Sequence, residues 1–350
     1  MRPFFGRVSL TFITLFSLLS CSGNRSISTR SESREKSLTF REGFSLLLLN
    51  DLDWSALSDI DHQKDYLRHL IAEAKINADH STLDLIFLNG NSFYRANKKV
   101  VKQLLSSLED SSVPFAINWG NDDRQGDYRY SDLLEALSAC PHALYSSSKE
   151  ATSGSNDFVI RLEENGTPRF ALFALDSNGY DVSGVPLRYA ASAIKKEQVD
   201  WLEEEAKNLA LVPALGFTST APKEFARYVE EKTYTKLSFE QLGAIETPED
   251  SSPLLERIQT LNFKGFFFGH DHPNDFVMDV SGISLGYGVK SSTEKGYATS
   301  SARTYLSGGK EKSLQILGGS LFKLQQSGAF SLEHLYLQDD EAYTLVKERY

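Results

Sequence analysis

Cysteine is nearly absent from this chain, with two residues in 350, Cys21 and Cys140. One disulfide is the most they could form, and none forms if Cys21 is lipidated; Cys140 is then expected as a buried structural thiol. Lysine and arginine are never dense enough to suggest a nucleic-acid groove, so no nucleic-acid partner is expected. They number 37 against 47 aspartates and glutamates, for a net charge of −10. Such acidity disfavours anionic ligands unless a bound cation reverses the local field. Internal repeats and obvious linkers are also lacking. What remains is 41% hydrophobic and 24% charged, as in a soluble globular protein large enough to bury a substantial core.

The N-terminus stands apart. "MRPFFGRVSLTFITLFSLLSCSGN" (1–24) places Arg2 and Arg7 before an apolar stretch and small residues, the layout of a signal peptide. The stretch is about eleven residues long, too short to span a bilayer comfortably. "LLSC" (18–21) resembles a bacterial lipobox, whose cysteine becomes the lipidated first residue. The expected layout is a lipoprotein-type signal over 1–20, a disordered Ser/Arg/Glu-rich tether over 21–38 and one folded domain over 39–350. Cys21 would carry the lipid and hold the exported protein to a membrane, periplasmic or at the cell surface. The alternative is an ordinary secretory signal.

From residue 43 the pattern is regular. "FSLLLL" (44–49), "LDLIFL" (83–88) and "VPFAINW" (113–119) read as strands buried on both faces. Residues 63–78 and 98–108 between them have helical periodicity, giving β-α-β-α-β with right-handed crossovers. "DFVIRLE" and "RFALFALDS" flank the turn "ENGTP" as a hairpin. A helix over 195–210, a strand over 212–217 and a short helix at "SPLLERIQTL" lead to the strand "FKGFFFGH". Short β-like runs follow: "DFVMDV", "ISLGYG", "SLQILG" and "FSLEHLYL". The expected fold is one α/β domain of two packed sheets with helices outside.

Each strand ends in a polar or glycine-containing turn, and sites in open α/β sheets gather at those ends. In order they are "NDLDW" (50–54), "NGNSF" (89–93), "WGNDDRQGD" (119–127), "GFTSTAPKEF" (216–225) and "FFGHDHPNDF" (267–276). The last carries two of the seven histidines, His270 and His272, one residue apart. A metal would explain that spacing; relics held by hydrogen bonds are the alternative. His62, His69, His80, His142 and His334 lie off these ends and are assigned no chemistry.

The order and spacing of these ends resemble the calcineurin-like metallophosphoesterases, in their purple-acid-phosphatase-like branch, over about residues 42 to 310. The resemblance implies an α/β sandwich of two mixed sheets flanked by helices, with two metal ions about 3.5–4 Å apart that activate hydroxide for attack on phosphate esters. It carries over unevenly. Asp51 matches the first aspartate of the Asp-x-His motif, but Asp53 stands where histidine is expected. Asn91 replaces the bridging aspartate. Asn121 matches the asparagine ligand, Asp122 replaces the histidine that assists the leaving group, and Ser219 falls about where another histidine belongs. His270 and His272 are intact.

Two dications at that separation repel by roughly 19 kcal/mol at an effective dielectric of about 20. A bridging carboxylate offsets this; an asparagine amide supplies no charge. The second site is therefore expected to be largely lost, leaving Asn91, Asn121 and His270. The first keeps Asp51, Asp53 and His272, a set for one weakly held divalent ion at most (Mn, Mg, Ca, Fe or Zn), or none. Asp51, Asp53, Asn91 and Asn121 serve equally as turn residues in the blander account. Asp122 is a candidate acid only if its neighbours raise its pKa. Downstream, "GYGVKSSTEKGYATSSART" (286–304) is expected as a solvated loop, with Lys290 and Lys295 as possible anion contacts. Two functions follow: a weakly active or non-catalytic, lipid-anchored scaffold, or a phosphoesterase working with one metal on a phosphate-ester ligand.

Overall fold

A computed structural model describes residues 37–145, 156–183, 188–239, 241–294 and 298–350. The signal segment, Cys21, most of the tether and Lys295 lie outside the described residues. Two mixed sheets form the body, as the resemblance implied. The first has seven strands, in the order Leu345–Arg349, Phe330–Leu337, Gly318–Leu324, Phe44–Leu49, Leu85–Asn89, Phe115–Asn118 and Ala143–Leu144. Phe44–Leu49 and the three strands after it run parallel, and the other three add antiparallel neighbours. The second has eight: Ser37–Thr39, Phe158–Glu164, Thr167–Ala174, Ala214–Phe217, Phe263–Phe268, Ile283–Tyr287, Val277–Val280 and Lys236–Ser238.

The apolar runs are continuous because both faces of the central strands are covered. Along Phe44–Leu49, Leu46 and Leu48 point into the layer between the sheets, with Phe87, Phe217, Phe267 and Phe322. Leu47 and Leu49 point the other way, against the helices Ile60–Asn77 and Lys98–Asp110. Phe263–Phe268 divides likewise: Phe267 faces the other sheet, and Phe266 and Phe268 face the helices of the second half. Each such ring contributes roughly 2–3 kcal/mol of burial. Local signals set the helix starts. Asn97 caps Lys98–Asp110, its side chain accepting from the N–H groups of Lys99 and Val100 at 3.0 and 3.1 Å.

The predicted strands and helices recur with ends shifted by a few residues. Ser37–Thr39 corrects the expected domain start: Ser37 and Leu38, assigned to the tether, pair in parallel with Arg161 and Leu162. The helices Tyr130–Ser138 and Lys223–Glu230 were not anticipated.

A ladder of asparagines closes the carboxyl ends of the first sheet. Asn118 Nδ2 donates to the Leu175 carbonyl at 2.9 Å and lies 3.4 Å from Asn89 Oδ1. Asn89 Nδ2 donates to Asn50 Oδ1 and the Thr218 carbonyl, both at 3.1 Å. Leu175 and Thr218 follow strands of the second sheet. Three neighbouring strand ends are thus tied to each other and across the sandwich, with all three amides fully buried. Gly288 makes room for this, since a Cβ there would stand 2.0 Å from Asn50 Nδ2. Asn89→Ala leaves buried carbonyls unpaired and is expected to cost about 2–3 kcal/mol in urea unfolding. A loss under about 0.5 kcal/mol, the level of a neutral surface change, would show that the ladder does not hold the ends together.

Candidate functional site

The five strand ends converge at one edge of the sandwich, stitched by backbone hydrogen bonds. Asp53 N–H donates to the Asn91 carbonyl at 2.9 Å, Gly269 N–H to the Ser219 carbonyl and Ser291 N–H to the Asn50 carbonyl, both at 2.8 Å. The turns are tight. Asp51, Asp53, Asn91 and His270 all have left-handed backbones, with φ of 50°, 52°, 49° and 70°. Asp and Asn tolerate this region and other non-glycine residues seldom enter it, which explains in part why these residues end the strands. Gly90, at φ 79°, is required for a second reason: a Cβ there would come within 2.5 Å of the Ser219 side chain.

Asp51, Asp53, Asn91, Asn121, Asp122 and Ser219 are all buried. Asp51 Oδ1 accepts from Asn91 Nδ2 at 3.1 Å, and its Oδ2 from the His270 N–H at 2.9 Å. Burial, and then the neighbouring Asp53 charge, raise the Asp51 carboxyl against the pull of Lys290 and His270. The other Asn91 atom, Oδ1, accepts from the Asp122 N–H at 3.0 Å. Both ends of that amide are thus committed, and a flip would set an NH₂ against an N–H. Asp122 Oδ1 accepts from Tyr180 Oη and Gln125 Nε2, each at 2.6 Å. Burial, followed by that bond, pushes the Tyr180 phenol up. Asp123 is a structural partner to the turn. Its oxygens accept from the N–H groups of Phe93 and Gly120 at 2.8 and 2.7 Å, and burial raises its carboxyl to about 8.

The second half of the site centres on Asp53. Its Oδ2 lies 3.0 Å from Lys290 Nζ and 3.4 Å from His272 Nε2. Lys290 also donates to the Asp51 carbonyl at 2.7 Å, and its side chain is fully buried. The expected solvated loop is therefore corrected at this residue. Val289, Lys290, Ser291 and Ser292 are all buried, and Lys290 bridges to Asn50 as an extension of strand pairing. One signal could have found it: Lys290 is the sole charge in "SGISLGYGVKSS" (281–292). Tyr180 and Glu246 were missed because each reaches the site from a segment outside the five strand ends, and Gln125, within the third of them, was given no role.

The two histidines diverge. His272 faces Asp53, whereas His270 Nε2 lies 3.5 Å from Glu246 Oε2. Burial alone would lower the His270 pKa, but the Glu246 bond and the nearby Asp271 and Asp51 charges outweigh it and the pKa rises. Glu246, His270 and Asp271 can bring ligand atoms within 4.8 Å of one another, a partial metal-binding group. Asp271 already accepts from the Tyr287 hydroxyl and the Glu246 N–H, and burial lifts it to about 7.

A two-metal centre does not fit these residues. Asn91, which the resemblance sets at the bridging position, is a neutral amide with both atoms in use, Asp53 is paired with an ammonium, and the His270 ring is turned to Glu246. Among the described residues, the buried hydroxyls of Ser92, Thr218, Ser219 and Thr220 lie at this edge without a hydrogen-bond partner. The Tyr180 hydroxyl is a further polar neighbour of Asn121. Ser219 Oγ has no base within hydrogen-bond reach to activate it as a nucleophile. The site is thus a closed polar junction of carboxylates, amides and one ammonium.

Its raised carboxyls have a consequence for stability. They hold protons that the unfolded chain releases above about pH 4, so their contribution is complete below that pH and is lost as pH climbs through the folded values. Buried His334 is held down to about 4, so its contribution is lost only toward acid. Between about pH 6.5 and 8 the carboxyls of Asp123 and Asp271 dominate, with His270 acting in the same sense. Unfolding free energy is expected to fall by on the order of 1–2 kcal/mol across that window. A flat or rising urea midpoint would mean that these groups are already ionised in the folded chain.

No family model matches the chain. An uncharacterised protein of Schizosaccharomyces pombe is 30% identical over 201 residues, covering 56% of this chain and 35% of that one. Probable inactive purple acid phosphatase 14 of Arabidopsis thaliana is 23% identical over 233 residues, covering 58% and 57%. Phosphatase DCR2 of Saccharomyces cerevisiae is 24% identical over 203 residues, covering 54% and 35%. The matches to these three relatives thus span between 35% and 57% of their lengths. Among solved structures, a dimetal phosphatase from Danio rerio superposes with a TM-score of 0.52 at 11% identity, over 84% of this chain and 95% of that one. Two mixed sheets flanked by helices give the chain the fold of the calcineurin-like metallophosphoesterases, and the relatives it resembles in sequence include proteins named as a probable inactive purple acid phosphatase and as a phosphatase.

Proposed function

We propose that this protein is a non-catalytic phosphoesterase-fold scaffold, exported and held to a bacterial membrane by lipid on Cys21. The observation that carries the non-catalytic reading is Asn91. It stands where a bridging carboxylate is needed, and its amide is spent on Asp51 and the Asp122 backbone. Without a metal, the buried Asp51, Asp53 and Asp122 repel a phosphate ester, and the site offers no activated nucleophile. The name of the Arabidopsis relative, which includes the word inactive, agrees with this reading. A second reading, a phosphoesterase using one ion, draws on the Glu246, His270 and Asp271 group.

Purified protein exchanged into Mn, Mg or Zn buffers and assayed on aryl phosphate mono- and diesters separates the two. The expected outcome is one ion per chain at most, held more weakly than about micromolar, and no turnover approaching the ordinary enzyme scale of about 10 per second. Two tightly held ions, or turnover on that scale, would sink the non-catalytic reading. The anchor rests on the apolar stretch followed by "LLSC". Cys21→Ala is expected to block maturation or release the protein from membranes; unchanged detergent partitioning would remove the lipid from the proposal.

A further inference from the structure

The Lys290 ammonium sits where a cation would have to sit. It lies 2.7 Å from the Asp51 carbonyl oxygen and 3.0 Å from Asp53 Oδ2, and the Asp53 carboxylate also faces His272 Nε2 at 3.4 Å. A divalent ion on Asp53 would need that oxygen at about 2.0–2.6 Å. The ion would then stand within a few ångströms of the ammonium that the same carboxylate holds, and the two positive charges repel. Lys290 is also built in. Its strand-like backbone is pinned on both sides: Val289 N–H donates to Ser320 Oγ at 3.1 Å, Ser291 Oγ accepts from the Asn50 N–H at 3.1 Å, and the Lys290 carbonyl accepts from the Gly318 N–H at 2.8 Å. Both side chains of the ion pair are fully buried. A buried ammonium is strongly disfavoured without a fixed counter-charge, and so are two buried carboxylates in one turn without a cation.

We propose that Lys290 replaces the metal: it is the internal cation that holds the Asp51–Asp53 turn together and closes that turn to divalent ions, leaving a latent one-ion site. The inference rests on the non-catalytic reading and deepens it. The latent ligands are the Asp53 carboxylate, the Asp51 carbonyl or carboxylate and His272, a set with enough oxygen to suit Mn or Ca.

The test uses the full chain with Lys290→Met, which keeps the apolar stem and removes the charge, and the double variant Lys290→Met with Asp53→Asn. Thermal unfolding is followed in EDTA and in millimolar Mn or Ca, with elemental analysis of ion content. The wild-type midpoint is expected to be the same in EDTA and in metal. Lys290→Met is expected to lose roughly 5 °C or more in EDTA, because the buried Asp53 carboxylate loses its buried ammonium and keeps only the more exposed His272 beside it. Metal should return most of that loss, with one ion gained per chain. The double variant, with neither charge, should regain most of the midpoint and show no metal response. If Lys290→Met does not fold, the double variant decides: folding near the wild-type midpoint supports the proposal, and failure to fold overturns it. A Lys290→Met midpoint unchanged in EDTA, or one that metal does not raise, overturns it, as does a wild-type midpoint raised by metal as much as the variant's. Phosphate-ester turnover by the wild type would defeat the non-catalytic reading without entering any of these readouts.

Discussion

The asparagine ladder at the carboxyl ends of the strands is the constraint on which the candidate site depends. Strands buried on both faces hold themselves in place by apolar contact, which is strong but carries no direction. At the strand ends the backbone leaves the sheets, and polar groups need partners in a region already closed to water. Asn50, Asn89 and Asn118 meet that need for three adjacent strands and reach the carbonyls of Leu175 and Thr218 on the opposite sheet. The ladder fixes the spacing from which Asp51, Asn91 and Asn121, one, two and three residues further along, take their positions. Left-handed turns at Asp51, Asp53, Asn91 and His270 concentrate backbone strain at the same edge. Such strain persists only where the surroundings over-determine it, and here the strand ends hold one another by hydrogen bonds.

Electrostatics then decides what this edge can do. In a two-metal site, positive charge from the ions draws carboxylates inward and holds phosphate. Here the carboxylates remain, but two neutral or positive groups meet each one: Asn91 and the His270 N–H for Asp51, Lys290 and His272 for Asp53, Tyr180 and Gln125 for Asp122. Groups of the chain itself thus already engage these three carboxylates. The same closure explains why Asp123 can be both buried and harmless: two backbone N–H groups serve it, and burial keeps its proton on through neutral pH.

Much of the fold was legible because its signals are local. "FSLLLL" reads as a strand covered on both faces, and the structure covers it on both. The "ENGTP" turn was legible for the same reason: its chemistry lies within the turn, and the hairpin follows. Less legible were helices such as Tyr130–Ser138, where polar residues interrupt the periodicity, and the short strand at Ser37, whose partner lies at Arg161.

The sequence by itself determined most of the central strands, that each of these ends in a polar turn, and which residue types stand at those ends, Asn91 among them. Those are properties of single residues and short spacings. Only the tertiary structure decided that Lys290 reaches Asp51 across 239 positions, that His270 turns to Glu246 while its neighbour but one faces Asp53, and that both atoms of the Asn91 amide are occupied. Those are contacts between segments brought together by two packed sheets, and no local pattern encodes the distance between an ammonium and a carboxylate that the fold alone makes neighbours.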